Sequence, residues 1–246
     1  MAKVAVITGG GGGIGRAVGL ALARDGWRVV LAGRHQAALD EVCAHYPQHL
    51  LGIVADVTEE GSVRTLFAKT TDLFGRIDLL FNNAGAGLAP MPLAELTLAD
   101  WSAVMAVNVT GAFLCAREVF RRMAAQSPRG GRIINNGSIS AHAPRPNSLA
   151  YTVSKHAVTG LTRALSLEGR AYDIACGQID IGNAATTLTR GFAAGTLQAD
   201  GHLAQEPVMD VAHVAASVLL MANMPLDANV QFMTVMATKM PFIGRG

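Results

Sequence analysis

The chain has 246 residues, half of them hydrophobic and 15% charged, with a formal net charge of +2. That is too apolar and too weakly charged for a disordered chain, and long enough to bury a core without disulfides or metal. The arginines are scattered, with Arg121-Arg122 the only adjacent basic pair, so no basic stripe points to nucleic acid as a partner.

Residues 4–8 form a β-rich apolar run, glycines occupy 9–13, and a helical pattern covers 14–24. A second strand reads over 28–32, a helix over 36–44, a strand over 50–55, a helix over 59–74 and a strand over 78–81. Residues 98–125 carry apolar side chains at helical spacing. A strand follows over 132–135, a helix over 150–167, a strand over 174–179, a helix over 211–221 and a last strand over 230–235. Strands alternating with helices of this length predict an α/β fold, a doubly wound, Rossmann-like parallel sheet with helices on both faces. No linker or repeat interrupts the pattern, so residues 1–246 read as one domain.

The three cysteines lie far apart without a C-x-x-C and read as reduced, buried thiols. The histidines lack ligand spacing, so no metal site is expected. The opening segment has no signal-peptide core, and no apolar run approaches the ~18–20 residues of a membrane helix. The expected location is the cytoplasm, with no membrane partner.

Chemistry enters at the first strand–turn–helix junction, Thr8-Gly9 through Gly13-Ile14-Gly15. Glycine lets the chain turn tightly and lets a phosphate approach the backbone, and the N–H groups of the helix start face the anion. A flexible glycine loop would look the same in isolation; the setting favours nucleotide binding. Of the run, Gly10 to Gly12 read as merely permitted. At the end of the second strand, Gly33 and Arg34 stand where an NAD-preferring fold would carry a carboxylate for the ribose 2′-OH. Arg34 can pair a 2′-phosphate, so NADP(H) is expected in preference to NAD(H), although a plain surface arginine is the bland alternative. Asp56-Val57 closes the third strand, where the carboxylate either meets an adenine amine or caps the next helix. Asn83-Ala84-Gly85 follows the fourth strand and lines the same cleft or forms an Asx-turn.

Tyr151 and Lys155 are four apart in a helical segment and share a face. A tyrosine hydroxyl is a poor base at neutral pH, and an adjacent ammonium favours its ionised form. Ser138, thirteen residues earlier, follows a predicted strand and could hold the oxygen of a carbonyl or alcohol. Singly each is ordinary. Together with the glycine turn, Asp56, Asn82-Asn83-Ala84-Gly85 and Asn108, they resemble the short-chain dehydrogenase/reductase family in its single-domain form.

The resemblance implies that Tyr151 is the acid–base residue and that Lys155 lowers the cost of its ionisation and binds the nicotinamide ribose. It also implies that Ser138 orients the substrate oxygen and that Asn108 holds a relay water. Asn108 has a second reading that can coexist, a buried carboxamide satisfying helix backbone. The expected reaction is hydride exchange between NADP(H) and a small-molecule carbonyl or secondary alcohol; a nucleotide-sensing scaffold without turnover is the alternative. The family's Pro-Gly after the sixth strand is missing, and Ile179-Asp180-Ile181 holds its place. Ile181 is expected to offer backbone groups to the cofactor carboxamide, Thr186 or Thr187 to serve its pyrophosphate, and Asp180 to be a loop residue bonded to nearby backbone rather than a substrate contact.

Residues 184–207 read as a substrate lid with Phe192 and Leu197 as its apolar members. Flanking prolines favour a surface loop for Arg145 over contact with an anionic substrate. The apolar tail, 237–246, is expected to pack on a neighbouring subunit or to shape the substrate pocket. A homo-oligomer, tetramer or dimer, is implied by the resemblance, with helices 98–125 and 150–167 pairing between subunits.

Overall fold

Alternate residues of a strand point to opposite faces of a sheet, and in this chain both sets are apolar. In the computed structural model, which describes residues 2–186 and 195–243, these strands form one sheet whose central members are buried on both sides and whose two edge strands are partly exposed. They are β1 (Val4–Thr8), β2 (Arg28–Gly33), β3 (Leu50–Val54), β4 (Leu79–Asn82), β5 (Gly131–Asn136), β6 (Ile174–Ile181) and β9 (Phe232–Val235). They form a seven-stranded sheet in the order β3-β2-β1-β4-β5-β6-β9, with every pairing parallel. Ala5, Ile7, Val29, Leu31, Phe81 and Ile179 face one core, where α1 (Gly13–Arg24) packs on α7 (Val211–Asn223). Val6, Val30, Leu80, Ile133 and Cys176 face the other, covered by α3 (Glu60–Phe74), α5 (Ala112–Ala125) and α6 (Leu149–Glu168). Helix α2 (Gln36–Cys43) packs beside β2 and β3.

The strand order reverses between β1 and β4, which is where ligands bind in open α/β sheets, beyond the carboxyl ends of the strands. Thr8, Gly33, Asn82, Asn136 and Ile181 end their strands on that edge.

Three features depart from the expected elements. Residues 98–125 are continuous, but between α4 (Leu98–Met105) and α5 lies a π turn, Ala106–Gly111, that contains Asn108. This 28-residue span is long and apolar enough by composition to cross a membrane, contrary to the sequence expectation. Half of its most apolar stretch is buried, as in a core helix packed on a sheet. Second, β6 runs on to Ile181, so Asp180 lies within a strand rather than in a loop. Third, the predicted lid contains a short antiparallel hairpin, β7 (Thr196–Leu197) with β8 (Leu203–Ala204). Phe192 and Thr187 lie outside the described residues.

The tail folds back on its own chain. Ala237 and Met240 are buried in the α1/α7 core, and the Met240 sulfur accepts from the Asn183 amide at 3.5 Å. The three cysteines are unpaired; burial pushes Cys115 and Cys176 up to about 12, which keeps them as inert thiols at neutral pH.

Candidate active site

The turn between β1 and α1 is shaped by absent side chains. Gly9 and Gly13 have φ of +68° and +50°, a region other residues enter at a cost. A Cβ on Gly15 would stand 2.2 Å from the Gly9 carbonyl oxygen, and one on Gly10 would stand 2.8 Å from the Leu31 Cβ. Gly10 is therefore required, not merely permitted as the sequence suggested, and Gly11 is tight against Ala38 at 3.2 Å; only Gly12 faces open space. No side chain caps α1 and no acidic residue lies in its first turn. The first N–H groups of a helix have no intrahelical partner and carry its positive dipole end. This backbone cradle fits a dinucleotide pyrophosphate. Thr186 lies near it, its Cγ2 3.5 Å from where a Gly13 Cβ would be.

Beside the cradle, a Cβ on Gly33 would lie 4.0 Å from the Gly11 nitrogen, so the end of β2 borders the turn. Arg34 is exposed there, close enough to act electrostatically on Asp56. Asp56 Oδ1 accepts from the Thr58 amide at 2.9 Å and the Thr58 hydroxyl at 2.8 Å. These bonds, with the Arg34 charge, hold its carboxyl below the ordinary range. Neither bond caps α3, whose N-cap Glu59 makes no side-chain cap hydrogen bond; Asp56 instead closes a turn onto Thr58. Val57 is buried against Gly111 of the π turn.

A chain of hydrogen bonds joins this turn to Lys155. The Thr8 hydroxyl accepts from the amides of Asn83 and Ala84, each at 2.9 Å, and Asn83 Nδ2 returns to the Thr8 carbonyl at 2.9 Å. Asn136 Nδ2 donates to Asn83 Oδ1 at 2.8 Å. Lys155 Nζ donates to the Asn136 carbonyl at 2.8 Å and lies 5.5 Å from the centre of the Tyr151 ring. Lys155 is 5% exposed, a buried ammonium given an acceptor and an aromatic face. Asn136, the link between the two halves, was not singled out in the sequence.

Asn108 uses its carboxamide on protein groups. Oδ1 accepts from the Ala86 amide at 2.7 Å, while Nδ2 donates to the Ala86 carbonyl at 2.9 Å and the Ser154 hydroxyl at 3.0 Å. Ser154 in turn donates to the Tyr151 carbonyl at 2.7 Å. The carboxamide thus satisfies backbone, but that of the loop at Ala86 rather than of a helix as the sequence suggested, and through the Ser154 hydroxyl it braces the start of α6. Gly85 borders it, with a Cβ position 3.5 Å from Asn108 Oδ1. Ile181 ends β6 with its side chain in the α1/α7 core.

Ser138 follows β5 and opens a 3₁₀ turn, its hydroxyl accepting from the Ser140 amide at 3.1 Å. Beneath it lies a polar row that sequence reasoning missed. Asn82, Asn135 and Gln178 stand side by side across β4, β5 and β6. Asn82 donates to Asn135 Oδ1 at 3.2 Å, Asn135 donates to the Thr162 hydroxyl at 2.9 Å, and that hydroxyl donates to Gln178 Oε1 at 2.9 Å. Gln178 Nε2 then donates to Asp180 Oδ1 at 2.7 Å. The one available signal was period-two polarity, Gln178-x-Asp180, inside an apolar strand.

Arg145 is not a surface residue. Its side chain is 15% exposed and paired with Glu206, which is 1% exposed, and it donates to Asn183 Oδ1 at 2.7 Å. Glu206 also receives Asn183 Nδ2 at 2.7 Å and Gln198 Nε2 at 3.1 Å. This cluster ties the β7–β8 hairpin to the segment between Ser138 and Tyr151.

The matches to known proteins agree with this geometry. A family model described as short chain dehydrogenase matches residues 3–196. The short chain dehydrogenase/reductase astE of Aspergillus oryzae is 36% identical over 193 residues, 76% of this chain and 73% of that protein. A 3beta-hydroxysteroid dehydrogenase of Mediterraneibacter gnavus is 34% identical over 194 residues, 76% and 68% of the two chains. In fold alone, the crystal structure of 3-ketoacyl-(acyl-carrier-protein) reductase from Brucella melitensis, complexed with NADH, aligns with a TM-score of 0.85 at 24% identity. That alignment covers 95% of this chain and 96% of the other. The chain belongs to the short-chain dehydrogenase/reductase family and is an NAD(P)-dependent oxidoreductase.

Proposed function

We propose that this protein interconverts a small-molecule carbonyl and a secondary alcohol, with NADP(H) preferred over NAD(H). The observation that carries the reading is the hydrogen-bonded path from Thr8 through Asn83 and Asn136 to Lys155. It couples a phosphate-sized backbone cradle to a buried ammonium beneath a tyrosine ring. The bound dinucleotide supplies or accepts the hydride. Thr8, Gly9, Gly13, Ile14, Gly15 and Thr186 hold its pyrophosphate, Arg34 its 2′-phosphate, and Asp56 and Val57 its adenine. Asn83, Ala84, Gly85, Lys155 and Ile181 hold its nicotinamide end.

The protein's own part is proton transfer and orientation. Tyr151 gives a proton to the carbonyl oxygen in reduction and takes it back in oxidation. The Lys155 ammonium lies against the Tyr151 ring, and its Asn136 acceptor fixes where that charge sits. Ser138 donates to the substrate oxygen while its own oxygen is held by the Ser140 amide. Because both Nδ2 protons of Asn108 are used, its share in the relay falls to its main-chain carbonyl in the π turn. Residues 184–207 act as the lid of a single domain, with Leu197 on its hairpin.

The exposed apolar residues Leu98, Phe113, Leu149 and Leu167 on the two long helices support a homo-oligomer, which sedimentation would read. Three unpaired thiols fit a reducing, cytoplasmic setting. The deciding assay follows NADPH and NADH absorbance in parallel across ketones, aldehydes, ketoacyl thioesters and hydroxysteroids. Turnover with NADPH and at least one carbonyl is expected; a preference for NADH would overturn the role of Arg34.

A further inference from the structure

One buried carboxylate has no part in the chemistry above. Asp180 is 1% exposed at the carboxyl end of β6. Its Oδ1 accepts from the Ser138 amide at 3.0 Å, and its Oδ2 is 2.9 Å from His142 Nε2. A carboxylate can only accept, so His142 carries its proton on that nitrogen. Ser138 and His142 are the two ends of the 3₁₀ turn Ile139–Ala141, so one carboxylate grips the turn at both ends. Its approach depends on Gly137, where a Cβ would stand 2.1 Å from Asp180 Oδ1. The carboxylate is itself fixed from below by Gln178, the end of the amide row across β4, β5 and β6.

We propose that Asp180 is a positioning residue for Ser138, holding the serine's backbone, and through it the hydroxyl, at the place where the substrate oxygen is bound. The inference rests on Ser138 being the substrate-orienting group. The physical case is that a buried charge leaves water only when its oxygens are satisfied, and charge-assisted hydrogen bonds are the stronger and more directional kind. Here all three donors belong to the catalytic turn or to the row that anchors it. Of those donors, only His142 is partly exposed, its side chain at 46%, so the grip closes from solvent on one side and from the core on the other. The turn cannot drift without breaking a bond to a desolvated charge. Displacement of a reacting group by about 1 Å can cost on the order of 10²-fold in rate.

The test compares Asp180→Ala, which removes both acceptors, with Asp180→Asn, whose carboxamide oxygen can still accept from Ser138. Hydrogen exchange is read by mass spectrometry on the full chain, in the peptides covering 137–143 and 9–16. Asp180→Ala is expected to speed exchange of the first about tenfold or more while leaving the glycine turn and NADPH binding unchanged; Asp180→Asn, which still accepts from Ser138 but turns an N–H toward His142, should fall between Asp180→Ala and wild type. On the carbonyl that turns over fastest, Asp180→Ala should lower kcat about tenfold or more. In a Ser138→Ala background the same change should cost less than about threefold, since the residue it positions is gone. Unchanged exchange at 137–143, or an equal kcat loss in both backgrounds, overturns the proposal. Wild-type kcat in Ser138→Ala alone would instead overturn the role given to Ser138, and the exchange data would still report whether Asp180 holds the turn.

Discussion

Along the carboxyl edge of the sheet, the half built on β1 and β2 works by leaving side chains out, whereas the half built on β5 and β6 works by packing them in. Around the glycine turn the recognition surface is backbone, and the decisive contacts are those a Cβ would spoil. Around Ser138 it is a lattice of amides, a carboxylate and an imidazole, each satisfied by another. A site made of bare backbone is written in glycines at fixed spacing. A site made of mutual side-chain bonds is written in residues far apart in the chain, and shows only once the strands are aligned.

The largest way to break the comparison is to remove chemistry without touching either scaffold. Tyr151→Phe is expected to lower kcat about 10²–10⁴-fold with NADPH affinity retained, read by stopped-flow turnover and fluorescence titration. Next comes a single methyl on the bare-backbone side. Gly15→Ala drives a Cβ toward the Gly9 carbonyl and should abolish NADPH binding while costing about 1–3 kcal/mol of stability, read by calorimetry and thermal melting.

On the packed side, Glu206→Ala removes the carboxylate paired with the buried Arg145 cation. Losing one partner of a buried pair costs about 3–5 kcal/mol, and here the loss should be local, exposing the hairpin segment 196–204 to protease before the fold melts. Arg34→Ala should reduce the preference for NADPH over NADH about tenfold or more, the worth of a charge-assisted contact of about 1.5–3 kcal/mol, with NADH kinetics nearly unchanged.

Smallest is the acid limb. The Asp56 carboxyl is held below its usual range by Thr58, so its contribution is present above ordinary carboxylate values and fades as pH falls through the lowered one. Asp56→Asn should flatten that part of the melting temperature against pH curve, by a small amount because the group is only partly buried and the carboxamide can still accept from Thr58.

The contrast also explains what could be read from residues alone. The parallel sheet was legible because the central strands carry mostly apolar residues on both faces, and the glycine turn because its spacing is local. Tyr151 and Lys155 share one helix, so their pairing was legible too. Asn136 was not, since it joins Asn83 to Lys155 from a third element, and the pairing of Asp180 with His142 was not, since it spans β6 and the turn after β5, brought together only by the register of those strands. Arg145 was misread because its prolines describe the local chain, whereas its burial comes from Glu206, 61 residues away. Gly10 was misread for the same reason, its limit being set by Leu31 of the neighbouring strand.

The π turn at Ala106–Gly111 has a consequence for the chain's tolerance of length changes. Such a turn holds one more residue than the regular spiral would place there. Deleting a single amino acid within it would restore an ordinary helix and leave the side chains beyond close to their present directions, whereas the same deletion in the regular part of the helix would swing them by roughly 100° about the axis. Leu114, Cys115 and Val119 would keep their aim toward the sheet. The loss would fall on the turn itself, where Asn108 is set against Ala86 and Gly111 against Val57. A one-codon loss here would cost the site more than the fold.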